Sequence, residues 1–88
     1  MILHGYCYFN RKGGFYTAPF FNQYDAQVML ELIERSFKSA STDEKKFLVE
    51  SDFVFVGEFD DHSGDFRMLD KPKFLRNFVE EETKNEKE

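Results

Sequence analysis

The densest group of side chains able to do chemistry is Asp60-Asp61-His62-Ser63-Gly64-Asp65. Carboxylates this close together suit a hard cation such as calcium or magnesium, which prefers oxygen ligands. A calcium loop, however, spaces its acids at alternating positions and ends on a glutamate at position twelve. Here two acids are adjacent and no glutamate follows at that distance. The stretch reads instead as a hairpin turn, with short polar side chains that bond the local backbone, then glycine. A small magnesium-dependent nuclease using Asp60, Asp61 or Asp65 would need these acids to converge on one ion, which adjacent residues on a turn rarely do. His4, Cys7 and His62 are the only softer candidates. They are widely spaced and fall short of the four ligands of a structural zinc site. Cys7 reads as a small buried apolar residue rather than a catalytic thiol. Gly13-Gly14 lacks the G-x-x-x-x-G-K-[ST] spacing of a phosphate loop. With no paired acid and base, activated nucleophile or cofactor motif, the expectation is a protein that is not an enzyme and uses no cofactor or metal.

A second constellation interleaves aromatic and cationic residues. Tyr6, Tyr8, Phe15, Tyr16, Phe20 and Phe21 flank Arg11 and Lys12. Single-strand binders stack bases on sheet aromatics and follow the phosphates with nearby cations. On that reading Arg11 and Lys12 meet phosphates, and Tyr6, Tyr8 and Tyr16 stack bases. Lys71, Lys73 and Arg76 extend the positive surface. The same aromatics are also what the core of a small sheet requires, so their exposure decides between the two roles.

The composition constrains both readings. The chain has 88 residues, with 12 Phe and 4 Tyr, 33% charged residues and a formal net charge of −5. One small domain is expected, with a modest core anchored by aromatics. The aromatic content excludes disorder for most of the chain, and the acidity excludes a histone-like DNA binder or a polybasic membrane anchor. No apolar run approaches the ~20 residues needed to span a bilayer. The N-terminus lacks the pattern of a signal peptide. A single cysteine forms no internal disulfide, which fits a reducing compartment. The charge is uneven. Residues 1–24 carry two cations and no acid, whereas residues 50–65 carry six acids and no Lys or Arg. The last nine residues, 80–88, hold five acids and two lysines, which leaves residues 1–79 at −2. The expected layout is one domain over residues 1–79 and an acidic, disordered tail over 80–88.

The elements that must position these residues follow from periodicity. Residues 2–9 read as a strand with Ile2, His4, Tyr6 and Tyr8 on one face and Leu3, Gly5, Cys7 and Phe9 on the other. Asn10 to Gly14 has turn composition. Phe15 to Phe21 is a second strand, forced to the edge or ended by Pro19. Residues 25–39 form a helix capped by Asn22 or Asp25, with Ala26, Met29, Leu30, Ile33 and Phe37 as its apolar stripe. Glu31–Arg35 and Glu34–Lys38 are spaced as i,i+4 pairs. Asp43 to Asp52 has no assignment from periodicity; within it Lys46-Phe47-Leu48-Val49 reads either as a short extended piece or as one helical turn. Residues 53–59 and 65–69 read as a second hairpin. Asp70 then caps a last helix beginning near Lys71-Pro72, with Phe74, Leu75, Phe78 and Val79 as its stripe. The fold class is α+β: a small antiparallel sheet from two β-hairpins, order ββαββα, with helices packed on one face.

Three stretches carry a likeness. Pro19-Phe20-Phe21 precedes the helix with Ala26. Asp52-Phe53-Val54-Phe55-Val56-Gly57-Glu58-Phe59-Asp60-Asp61 runs into Ser63-Gly64, and Lys71-Pro72 enters a short apolar segment. Their order and spacing resemble the small nonstructural protein of gokushovirus-type microviruses, the small single-stranded DNA bacteriophages. The pattern there resembles P-F-F … D-F-x-L-F-x-L-G-x-F-D-D-x-x-G, and the likeness covers about residues 2–79. Val56 stands where the pattern has Leu. The resemblance implies a phage protein acting in the cytoplasm of the bacterial host and absent from the virion. It also implies a DNA-binding role, or one in moving replication towards genome synthesis and packaging. It transfers no site residue. The matched strand and turn also have a structural meaning, with Gly57 allowing another backbone to approach.

The functional expectation is therefore a non-enzymatic protein that binds single-stranded DNA and assists replication or packaging. The rival is a protein-interaction module without direct DNA contact, a homo-oligomer that engages a phage or host replication or assembly protein. A strand edge near Pro19 and the aromatic excess motivate that rival.

Overall fold

A computed structural model describes residues 1–78. Along the chain run β1 (Ile2–Asn10), β2 (Phe15–Tyr16), β3 (Phe20–Asn22), α1 (Ala26–Ser39), α2 (Thr42–Val49), β4 (Ser51–Asp60) and β5 (Phe66–Asn77). All pairings are antiparallel. The central pair is β1 with β4, flanked by β5 on one side and by β2 and β3 on the other. The α+β class and the two hairpins agree with expectation. The element order is βββααββ rather than ββαββα, because three expected elements differ.

The first difference is the segment between α1 and β4, which folds as α2. Ser41 caps it. The Ser41 hydroxyl accepts from the Glu44 N–H at 3.2 Å, and the Glu44 carboxylate accepts from the Ser41 N–H at 3.1 Å. This reciprocal pair satisfies two donors that a helix start otherwise leaves unmet.

The second is the expected final helix from Lys71-Pro72, which is instead the second half of β5. Two irregularities explain the misleading spacing. Leu75 is an extra residue between Phe74, opposite Val54, and Arg76, opposite Phe53. A one-residue bulge shifts the alternation and so mimics a helical interval. Residues 69–72 stand opposite Val56 alone, between the pairs Gly57–Met68 and Phe55–Lys73. Pro72, which has no N–H for a ladder, falls in that larger bulge on an edge strand, where it costs least. Val79 and residues 80–88, the expected tail, lie outside the described residues.

The third is the expected strand Phe15–Phe21, which is interrupted at Thr17-Ala18-Pro19 and becomes the two short strands β2 and β3. The chain between them stays bound to β1 through Thr17. Its N–H donates to the Tyr8 carbonyl at 2.8 Å, and its hydroxyl accepts from the Tyr8 N–H at 3.0 Å. In the helix α1, Asp25 is the cap and accepts from the Val28 N–H at 3.1 Å. Met29, Ile33 and Phe37 are its buried stripe. They pack on Tyr6, Phe53 and Phe78 in the main core, with Tyr8, Phe55, Leu48, Val49 and Leu75 around them. Both helices therefore cover the face of the sheet that carries Tyr6 and Tyr8. A smaller buried cluster, Cys7, Val54 and Val56, lies on the other face and contains no helix residue.

Two glycines let strands approach. A Cβ on Gly5 would sit 2.5 Å from the ring of Phe21. A Cβ on Gly57, whose φ is +151°, would sit 2.6 Å from the Arg67 carbonyl oxygen and 2.7 Å from Met68 Cα. Gly57 is thus the close backbone approach that the sequence implied.

Candidate nucleic-acid interface

Burial separates the three tyrosines of the expected interface. Tyr6 is fully buried, stacks on Phe53 at 5.2 Å between centroids, and donates its hydroxyl to the Tyr24 carbonyl at 2.7 Å. Burial, with Asp25 adding to it, pushes its pKa up to about 12. Tyr8 is half-buried against Phe47, Phe53 and Phe78, and burial raises its pKa. Neither presents a ring face to a base. Tyr16 does, at 51% exposure.

The expected cations divide in the same way. The Arg11 guanidinium pairs with Asp52 and donates to the Val49 carbonyl at 2.6 Å. Lys12 lies 3.8 Å from Glu50. Arg76 lies 2.6 Å from the Glu34 carboxylate, so Glu34 ties α1 to β5 rather than bonding Lys38 along its own helix. The phenylalanines of the expected helices and of the second hairpin divide as well. Phe37, Phe53 and Phe78 are buried, Phe55 packs at the core margin, Phe59 is half-buried, and Phe74 is 56% exposed.

The register identifies what occupies the face away from the helices. Residues paired directly across strands point to the same side of a sheet. Phe9 faces Tyr16, Leu3 faces Phe59, Phe59 faces Phe66, Gly57 faces Met68, and Val54 faces Phe74. Phe9, Leu3 and Val54 all alternate with the buried Tyr6, Tyr8 and Phe53. Tyr16, Phe66, Met68 and Phe74 therefore share the uncovered face. Phe21, opposite Gly5, joins them and closes a trio of rings with Phe59 at 6.4 Å and Phe66 at 5.8 Å. Phe9 and Tyr16 pack at 4.6 Å. Phe66 is 61% exposed and Met68 49%.

Strand β5 forms the rim of this face. It carries Arg67, Lys71, Lys73 and Arg76 against the single acid Asp70. Arg76 is paired, while Arg67, Lys71 and Lys73 make no ion pair with another described residue. Lys71 projects from the large bulge. Lys73 and Arg67 lie opposite Phe55 and Glu58 and leave the strand on its helix side. The aromatics thus occupy the face, and the cations its border.

A family model described as Phage ORF5 protein matches residues 3–81. The chain belongs to that family. The match spans all seven elements, including the bulged β5 and the acidic turn. It therefore covers both the uncovered face and the helix side of this phage protein. Comparison with curated proteins gives no match, and comparison with solved structures gives none.

The acidic turn closes the β4–β5 hairpin. The Asp60 carboxylate accepts from the His62 N–H at 2.9 Å and the Ser63 N–H at 3.4 Å, and the first of these chiefly lowers its pKa. Asp61 pairs with the terminal ammonium of Met1 at 2.9 Å. Two of the acids are thus engaged with backbone or terminal N–H groups. Among the described residues no three His, Cys, Asp or Glu side chains converge as a metal site. No helix among them is long and apolar enough to cross a membrane. Cys7 is buried, and burial raises its thiol pKa.

The exposed members Phe66, Met68 and Phe74 were not distinguished by sequence. Phe74 has the spacing of a helix stripe, and Phe66 and Met68 sit in a hairpin strand whose buried face the alternation alone does not name. The cue that could have found them is Pro72: a proline inside an apolar run marks an edge strand or a bulge.

Proposed function

We propose that this phage protein is a non-enzymatic nonstructural protein that binds single-stranded DNA on the uncovered face of its sheet. It would act in the cytoplasm of the bacterial host and assist genome replication or packaging, as the resemblance to the gokushovirus-type protein implies. The observation that supports this reading is the set of exposed rings on a face no helix covers. Tyr16, Phe66 and Phe74 offer stacking surfaces, worth roughly 1–3 kcal/mol per base in single-strand binders. Lys71 stands in the bulge beside them, and Lys73 and Arg67 leave the same edge strand on its helix side, so a phosphate backbone would have to run along the β5 edge to meet all three. Arg11 and Lys12 lie in the turn next to Tyr16. Binding that neutralises phosphates weakens as salt rises. Titration of a labelled oligonucleotide at low and moderate salt tests the reading. Salt-sensitive binding is expected, and no binding at low salt would overturn it.

The same face favours a second reading through one observation: by register, its exposed side chains are apolar and the cations stand at its edge. Apolar patches of a few hundred Å² mark interaction sites. A homo-oligomer joined through Phe66, Met68 and Phe74 would bury them without DNA, and could then engage a replication or assembly protein. Sedimentation over a range of concentrations, without DNA, separates the two. Association that Phe66→Ala abolishes, together with no oligonucleotide binding, selects the oligomer.

A further inference from the structure

The helix side of the sheet holds a cavity of about 680 Å³ that the proposed DNA face does not use. Its floor is apolar: Tyr8 from β1, with Phe47 and Leu48 from α2. Ser36, Ser39 and Ala40, from the end of α1 and its cap, form one wall. Asp43 and Glu44, in the first turn of α2, complete the lining.

The formal charges among the described lining residues have one sign: Asp43 and Glu44, with no lysine or arginine among them. Asp43 makes no ion pair or side-chain hydrogen bond with another described residue, and Glu44 bonds only the Ser41 N–H. The last carbonyls of α1, the negative end of its dipole, border the same space, and the positive N-terminal end of α2 offsets them in part, which leaves the two carboxylates as the net charge. On α2, Lys45 lies over the ring of Phe37, and neither it nor Lys46 is among the lining residues. A purely apolar occupant would strip water from two carboxylates without compensation. A bare cation would leave the aromatic floor unused. The occupant that satisfies both is a cation on an apolar stem. A guanidinium suits it best, because its planar fork of donors can serve two carboxylates while its stem packs on rings. The volume is in the range of ligand pockets and exceeds what one side chain fills, which favours a short chain segment over a free amine.

We propose that this cavity docks a segment of a partner protein bearing an arginine flanked by apolar residues. The site lies across the sheet from the proposed DNA surface and does not depend on it. The phage protein would thereby hold a basic partner while its other face remains free.

The test uses the full chain, isotopically labelled, and a blocked peptide Ala-Leu-Arg-Leu-Ala followed by amide chemical shifts. The expected result is saturable shifts at Ser36, Ser39, Ala40 and Leu48. Replacing the arginine by neutral citrulline should weaken binding at least about tenfold, as should the double variant Asp43→Asn with Glu44→Gln. Gln at 44 preserves the capping box, so that variant is expected to fold. Its oligonucleotide affinity, or lack of one, should match the parent's. Absence of saturable shifts at those amides would overturn the proposal. So would equal binding of the citrulline peptide, or binding of butylguanidinium alone as tight as that of the peptide.

Discussion

Tyr6 and Tyr16 lie on opposite faces of one sheet. Tyr6 stacks on Phe53 beneath α1, with its hydroxyl bonded to the Tyr24 carbonyl, whereas Tyr16 packs on Phe9 and faces outward. Two tyrosines from the same hairpin therefore have unlike tasks. The first holds the helix layer on the sheet, and the second belongs to the surface proposed to meet DNA.

Burial of Tyr6 predicts a stability change with pH. Its folded pKa is raised to about 12, against about 10 for a free tyrosine. A raised pKa favours the neutral, protonated form in the folded state. The contribution is therefore complete below about pH 10 and is lost as pH rises through about 12. Denaturant unfolding across that window should show stability falling, and the Tyr6→Phe variant should lack this part of the fall. Near neutral pH Tyr6→Phe should cost about 1 kcal/mol, the worth of the lost hydrogen bond.

Gly57 predicts a backbone effect. Alanine there would adopt a φ that side chains rarely take and would press its Cβ on the β5 backbone. Strain of this kind costs on the order of 1–3 kcal/mol before any clash is relieved. Gly57→Ala should lower the melting temperature and speed amide exchange in Arg67 and Met68 first. Unchanged exchange in β5 would contradict the close approach described.

The capping box predicts a local loss. Ser41→Ala removes the acceptor for the Glu44 N–H and should destabilise the protein by about 1 kcal/mol. Faster exchange should appear in the first turn of α2 and leave α1 unaffected. Circular dichroism with hydrogen exchange checks both.

The Arg76–Glu34 contact predicts a small coupling. Both side chains are partly exposed, at 42% and 33%. A double-mutant cycle with Arg76→Met and Glu34→Gln should therefore give a coupling of no more than about 1 kcal/mol. Added salt should reduce it. Removing Arg76 should leave oligonucleotide affinity nearly unchanged, because its charge is already matched.

Periodicity and turn chemistry are enough to find β1, the β1–β2 turn, α1, residues 53–59 of β4 and the acidic turn. Each depends on contacts local to its own segment. The helix α2 was readable in principle, since Ser41-Thr42-Asp43-Glu44 has capping-box spacing, but only eight residues follow the cap and their apolar stripe is weak. The second half of β5 was not readable by alternation. Its bulges at 69–72 and at Leu75 are fixed by pairing with β4, across which Pro72 and Gly57 must be accommodated. The candidate surface differs from the expected one for a related reason. Alternation divides a strand into two faces, but only the helix packing determines which face is covered. The helices lie on Tyr6 and Tyr8 and leave Phe66 and Phe74 outside.

The most direct measurement is the affinity of a labelled single-stranded oligonucleotide for the parent chain and for Phe66→Ala and Phe74→Ala, each across a salt series. The account predicts binding at low salt. Its logarithm should fall against log salt with a slope of about −2, for the three β5 cations that have no ion pair among the described residues, on a single strand. Each substitution should weaken binding about fivefold or more through lost stacking, without altering that slope. Absence of binding at low salt, or affinity indifferent to both substitutions, would contradict the claim that the uncovered sheet face binds DNA.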